Sequence, residues 1–384
     1  MVWERQKSII STAPDEPSLI SWLITGVIAL VAGVLLFLLH ASQRLGPFQG
    51  CNIRVLSATP TLTWLVLICL RAWRYHMVFN RYRLEFNEAE YAQQRWTEWA
   101  GRYQAILHST ALLPGSFTAA QFIQPAAGFE LHGNQVQRLP WSEAEGLSML
   151  LGDVSDTLLQ LPAELSLSIT LLTDSPTDPL GLQERVTTSW KATVSVARPI
   201  PDLKILQSHS LLTLDTRLKQ SATSAELILV QQLQGGDRYS DALAALLLVS
   251  DDVATQYALK HDVRLLRPMG LNQSRLAEEL ALFFSIQTQA NRTQFIVGDR
   301  LSWAEAFVEL LNAREPDSGR WKTEHLYLLE HYSGICGPFS PWITAIVASD
   351  MVSLQQTPGL VLATDNEQSF ITTLTTGDQN KANR

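Results

Sequence analysis

The chain has 384 residues, 46% of them hydrophobic and 17% charged, with a formal charge of −8. Residues 1–102 carry ten Lys and Arg against seven Asp and Glu, and the remainder nineteen against thirty. So acidic a bulk argues against a nucleic-acid partner, which needs a basic footprint, and the length leaves room for one large domain or two small ones behind a membrane segment.

Residues 19–39 read LISWLITGVIALVAGVLLFLL without a charge. At a rise of about 1.5 Å per residue this run is about 30 Å long, the thickness of a bilayer's hydrocarbon core. His40, Ala41, Ser42, Gln43 and Arg44 follow and offer no small-x-small cleavage site, so the run reads as an anchor rather than a signal peptide. A second run, residues 55–73, is diluted by Ser57, Thr59, Thr61 and Thr63. It holds Pro60 in its first turns, where proline is tolerated. The two runs predict a transmembrane hairpin within residues 1–86, with helices at 19–39 and 55–73 and a short polar loop at 42–54. A half-buried core helix is the alternative for the second run.

Arg71, Arg74, Arg81 and Arg83 follow the second run, Arg5 and Lys7 precede the first, and the loop holds Arg44 and Arg54. The positive-inside rule then puts both termini in the cytoplasm, and the arginine-rich stretch is attracted to anionic lipid of the bilayer. Trp22, Trp64, Trp73 and Tyr75 include candidate interfacial anchors. Gly26 and Gly33 share one helix face. That is either a seam for the second helix or ordinary small-residue content.

Residues 87–114 read as an amphipathic connecting helix, with Tyr91, Arg95, Trp96, Trp99, Tyr103, Ile106 and Leu107 at three- and four-residue steps and Pro114-Gly115 as its stop. Residues 115–376 form the large domain. A helix over 143–159 is announced by Ser142 and Glu145 in a capping box. Strands are expected at 165–173, 211–214, 225–233, 263–266 and 294–297, with a closing pair at 360–363 and 370–375. Residues 242–249 (ALAALLLV) are a buried strand or helix. Further helices are expected at 180–188, 276–286, 303–312, 324–332 and 340–351. Residues 377–384 are polar and expected to be a disordered tail. Apolar β runs between helices indicate a layered α/β domain, and no repeat of solenoid period is evident.

The chemistry is sparse. No G-x-G-x-x-G, G-x-x-x-x-G-K-[ST], G-x-S-x-G or H-E-x-x-H occurs, so neither a nucleotide cofactor nor a metal is indicated. Cys51, Cys69 and Cys336 form no C-x-x-C pair, which fits a reducing compartment for the large domain. His325 and His331, each after a glutamate (Glu324, Glu330), would fall on opposite faces of a helix and share no metal. Asp251 and Asp252 after residues 242–249 are read as caps of the next helix, with catalysis the lesser reading. Cys336 lies in the turn SGICGP before a helix. There a helix N-terminus lowers a thiol pKa and His325 or His331 would serve as base. The structural reading of this cysteine is the commoner one.

The order of elements resembles the thiolase-like fold of the ketoacyl synthases. The resemblance rests on residues 239–249 (YSDALAALLLV), on 332–348 (YSGICGPFSPWITAIVA), similar to the late glycine-rich loop and following helix, and on the closing strand pair within 360–375. Those enzymes attack with a cysteine at a helix start in the first half of the domain, with paired histidines. Here no cysteine lies between Cys69 and Cys336, and the histidines have no counterparts. The resemblance therefore implies a non-catalytic descendant, similar to degenerate thiolase-like accessory proteins of bacterial type VI secretion systems. Its implied role is a two-helix inner-membrane adaptor that binds secretion components or effectors. A membrane-bound acyl- or lipid-modifying enzyme using Cys336 is the alternative.

Overall fold

The computed structural model describes residues 3, 10–44, 46, 50–124, 131–194, 198–220, 223–314, 321–365 and 368–377. Arg5, Lys7 and the tail after Gly377 lie outside them. The chain divides into two compact units: residues 4–95, and residues 96–384 together with 1–3.

The first unit contains α1 (Leu19–Ala41) and most of α2 (Ile53–Ala100). Both are long and apolar enough to cross a membrane. They pack closely on one seam. Trp64 Nε1 donates to Thr25 Oγ1 at 3.2 Å. A Cβ on Gly33 would stand 2.5 Å from the Ser57 carbonyl oxygen, and one on Gly26 would stand 2.8 Å from the Trp64 ring. The two glycines therefore form a seam, one of the two readings of their spacing. Beyond it, Arg81 pairs with Glu85, which also accepts from Ser11.

The expected helix over 87–114 is half helix and half strand. α2 ends at Ala100, Gly101 follows, and Tyr103–Leu112 is strand β1. The aromatic spacing was helical only as far as Trp99; beyond it the pairing of β1 with its neighbours overrides local periodicity.

The second unit continues with α3 (Ala119–Ile123), α4 (Glu143–Gln160), β2 (Ser166–Thr173), α5 (Pro179–Thr193), β3 (Asp202–Leu206), α6 (Thr213–Lys219), β4 (Ser224–Gln232) and β5 (Ala242–Ser250). Then come α7 (Asp251–Gln256), β6 (Val263–Leu266), β7 (Met269–Leu271), α8 (Leu276–Ile286), β8 (Phe295–Gly298) and α9 (Phe307–Ala313). The unit ends with β9 (Leu326–Leu328), α10 (Leu329–Ser333), α11 (Ser340–Gln355), β10 (Gly359–Asp365) and β11 (Gln368–Thr376). Ser142 caps α4 as read, accepting from Glu145 N while Glu145 Oε2 accepts from Ser142 N.

Three further expectations fail. Residues 211–214 are a turn and the first two residues of α6; the strand of that region is β3, an edge strand whose Asp202 and Lys204 hid its apolar alternation. Residues 324–332 are a short turn, then β9 paired with β8, and only then a helix of one turn. Residues 303–312 break between a 3-10 turn and α9.

The sheet order is β3-β2-β4-β5-β1-β6-β11-β10-β8-β9, with β7 beside β11. It is a doubled unit. In the first half β2 pairs in parallel with β3 and β4, and β5 runs antiparallel to both β4 and β1. In the second half β8 pairs in parallel with β9 and β10, and β11 runs antiparallel to both β10 and β6. Numbered within each half without the short β7, both orders read 3-2-4-5-1, and β1 joins β6 antiparallel at the centre. The repeat shares no evident sequence, which is why only the pairing reveals it.

Strand alternation assigns the layers. Ile228, Val230, Leu246 and Leu248 share a cluster with Val361, Ala363 and the α11 residues Ile343, Ile346 and Val347. Leu227, Leu229, Leu243 and Leu247 face α4 and α5 instead. Ile296, Leu360 and Leu362 face α8 and α9. The order is thus helices, half-sheet, central helices α6 and α11, half-sheet, helices. Residues 242–249 form a strand buried on both faces, which explains the run without alternation. α11 is buried all round, so it carries no amphipathic signature.

Candidate functional site

In a layered α/β domain, ligands gather beyond the carboxyl ends of the parallel strands, where connections diverge. Here the segment 334–340 lies among those ends. Gly334 has φ +81° and a Cβ on it would meet the Gln135 carbonyl oxygen at 2.2 Å, so only glycine fits. Ile335 N donates to Gln135 O at 2.9 Å, and Ser240 N donates to Ile335 O at 2.8 Å. Gln232, the last residue of β4, accepts from Phe339 N at 3.2 Å and donates to Ser240 O at 2.8 Å. Ser240, Gln232 and Phe339 among these partners are buried, while Gln135 is at the surface.

Cys336 sits at the centre of this segment. Its Sγ donates to the Asp299 carbonyl oxygen at 2.9 Å. Desolvation pushes the thiol well above its usual value, and the charges of Asp299 and Glu330 push the same way. The expected lowering by the helix N-terminus is therefore outweighed. A nucleophile needs the thiolate, and this environment opposes it.

Asp299 follows β8 directly and is fully buried. Its Oδ1 accepts from Trp303 Nε1 at 2.8 Å, and its Oδ2 from Ser340 Oγ at 3.0 Å and Thr364 N at 2.9 Å. Burial raises its pKa, and these donors and Arg300 oppose the rise. A carboxylate so saturated ties strand ends together and leaves little room to take a substrate proton.

The connection equivalent to 329–339 in the first half is residues 207–212, between β3 and α6. The first-half connection meets α11 through Trp342, whose Nε1 donates to the His209 carbonyl oxygen at 2.6 Å. The two rings stack at 5.4 Å with planes 5° apart. His209 Nε2 lies 3.2 Å from Thr213 Oγ1. Burial first, then Arg217 and Lys204, lower the His209 pKa.

The other sequence candidates fall elsewhere. Ser250, not the aspartates, caps α7 by accepting from Val253 N. Asp251 and Asp252 pair with Arg102 instead, at 2.6 Å each. His325 Nδ1 accepts from Lys322 N at 3.2 Å beside Glu324, and His331 offers its carbonyl to His132 N at 2.8 Å. Glu330 Oε2 accepts from Leu301 N at 2.9 Å. Among the described residues no group of three or more His, Cys, Asp or Glu is placed to hold a metal. Sequence reasoning missed Asp174, His209, Asp299 and Asp350. A signal existed for two of them: an aspartate stands directly after an apolar strand in both LLTD and IVGD.

No protein-family profile matches the chain, and no curated protein does. Solved structures of similar shape are thiolase-like enzymes. A type II polyketide ketosynthase complexed with its acyl-carrier protein has a TM-score of 0.49 at 9% identity, covering 71% of this chain and 99% of that one. Cerulenin-bound OleA of Xanthomonas campestris gives 0.46 at 8%, covering 73% and 98%. The 3-oxoacyl-[acyl-carrier-protein] synthase III of Aquifex aeolicus gives 0.42 at 11%, covering 71% and 99%. Likenesses at this level assign neither activity nor ligand to this chain.

Proposed function

We propose that this chain is a membrane-anchored, non-catalytic accessory protein that binds protein partners through its α/β domain. The observation that carries the reading is Cys336: it is the one cysteine of the domain, and it spends its proton on the Asp299 carbonyl in a setting that disfavours thiolate. The finer assignment, an adaptor of a bacterial type VI secretion system in the inner membrane, rests on the resemblance of residues 239–249, 332–348 and 360–375.

Trp3 supports the placement of both termini on one side. Its Nε1 donates to Pro268 O at 3.1 Å, and its ring stands 5.3 Å from Trp99 and 5.6 Å from Phe283. A chain whose third residue packs on the large domain must cross a membrane an even number of times, and α1 and α2 supply two crossings. The native cysteines test this. In spheroplasts a membrane-impermeant maleimide should label Cys51, in the loop between the helices, and spare Cys336. Labelling of Cys336 without lysis would reverse the topology.

Two experiments test the function. Pull-down of the full chain from detergent should recover specific protein partners, and recovery of none from folded protein would overturn the adaptor reading. A thiol-reactive acyl probe should modify Cys336 no faster than it modifies glutathione. Faster labelling, lost in Cys336→Ser, would establish the acyl-modifying alternative.

A further inference from the structure

Strand β1 pairs with β5 from Gln104 to Leu112, but with β6 only from Tyr103 to Ile106. Among the described residues, the second edge of His108–Leu112 meets no strand. A bulge between Ile106 and His108 turns the chain at the point where β6 leaves. A cleft of about 400 Å³ opens there, walled by Thr110–Leu112 of β1, by Ala119 and Ala120 of α3, and by Val347, Asp350 and Ser353 of α11. The cleft straddles the edge. Ser109 points toward α11, bonding Ser349 and Asp350, whereas His108 points toward α4, with Nε2 2.9 Å from Asp153 Oδ2.

We infer that this edge is a docking site for an extended peptide segment of a partner protein, added as a strand beside His108–Leu112 with a basic side chain directed at Asp350. An unpaired strand edge supplies backbone donors and acceptors at the strand repeat, which is how sheets take up extended peptides. Charge selects the side chain. Asp350 lines the cleft, Asp153 lies within electrostatic reach of it, and among the described residues no Lys or Arg lines the walls. The apolar remainder of the lining, Ala111, Leu112 and Val347, suits alternate β-branched residues on the same strand. Only the partner's being a protein rests on the adaptor reading; the edge and its charge stand on geometry.

The test uses the full chain in detergent and three fluorescein-labelled pentapeptides: Thr-Val-Lys-Val-Thr, its Lys→Glu version, and Thr-Pro-Lys-Pro-Thr, which lacks two backbone donors. The first should bind saturably in the submillimolar range, and the others about tenfold more weakly. Asp350→Asn and Ala120→Arg should each weaken the first peptide about tenfold while the chain stays folded by circular dichroism. Ser353→Arg serves in place of Ala120→Arg if that variant misfolds. Hydrogen exchange of the His108–Leu112 amides should slow on binding. Equal binding of all three peptides, no binding, or edge amides already protected in the free chain would each overturn the proposal. If wild type and Ala120→Arg capture the same partners, the cleft is not the docking site and the adaptor reading survives. If wild type captures none, that reading fails whatever the peptides do.

Discussion

Asp174 and Asp299 occupy the same place in the two halves of the domain. Each directly follows the second strand of its half, and each carboxylate accepts backbone N–H from the fourth strand or its end. Asp174 accepts from Leu233 N at 3.0 Å and Gln234 N at 2.9 Å; Asp299 accepts from Thr364 N at 2.9 Å. The side-chain partners differ: the Tyr239 hydroxyl for Asp174, and Trp303 with Ser340 for Asp299. The equivalence shows these carboxylates as splints between strands two and four.

The two splints should differ in worth. Asp299→Ala strands the Trp303, Ser340 and Thr364 donors in a dry interior. At about 1–3 kcal/mol for each orphaned donor, partly offset by removing a buried charge, the cost is about 3–5 kcal/mol. Asp174 is half-buried, so water replaces it, and Asp174→Ala should cost about 1 kcal/mol. Urea melts of the two variants check this. Equal losses would show that burial does not set the difference.

Asp350 makes stability depend on pH. Its pKa is pushed up to about 7, first by burial, with Asp153 adding and the Ser109 hydrogen bond opposing. The protonated form is thus favoured by folding. That contribution is full below the unfolded carboxyl value of about 4 and is lost as pH rises through about 7. Asp299, also raised, adds in the same direction. Asp350→Asn should therefore flatten the fall in Tm between pH 5 and 8, which thermal melts across that window measure. An unchanged slope would refute the assignment.

Glycine is tolerated here for two opposite reasons. Gly152 lies mid-way along α4, and a Cβ added to it would have nothing within 4 Å. Gly152→Ala should stabilise by about 0.5–1 kcal/mol through helix propensity. Gly334→Ala, by contrast, meets Gln135 O at 2.2 Å with a left-handed φ. It should lower Tm and disturb the 334–340 segment. Chemical denaturation of the pair gives the two signs.

The sequence disclosed most of the elements and little of how they assemble. Residues 225–233 and 360–375 were legible because apolar runs between turn residues leave few alternatives. Residues 103–112 were not, since their place at the sheet centre comes from β5 and β6, distant in sequence. Cys336 was visible as a cysteine before a helix, but the raised pKa of its thiol depends on desolvation and on the charges of Asp299 and Glu330, which no local pattern encodes. Asp350 lies in a helix buried all round and so looked like any polar residue near a helix end.

The hairpin seam gives the sharpest test of the first unit. Gly33 is the one buried residue of α1, and its Cα faces the Ser57 carbonyl so closely that a Cβ would stand at 2.5 Å. Backbone cannot yield as a flexible side chain can, so Gly33→Leu must part the helices. At Gly26 the obstacle is the Trp64 ring, which can rotate, so Gly26→Ala should be milder. Cysteine pairs placed at residues 33 and 57 would report the separation directly, but they remove the glycine. Crosslinking of Thr25→Cys to Trp64→Cys with a short bifunctional maleimide avoids this, since the two side chains meet across the seam, Trp64 Nε1 donating to Thr25 Oγ1 at 3.2 Å. In that background Gly33→Leu should abolish crosslinking while both helices remain in the membrane fraction. Full crosslinking in the Gly33→Leu variant would mean the hairpin is held by contacts elsewhere.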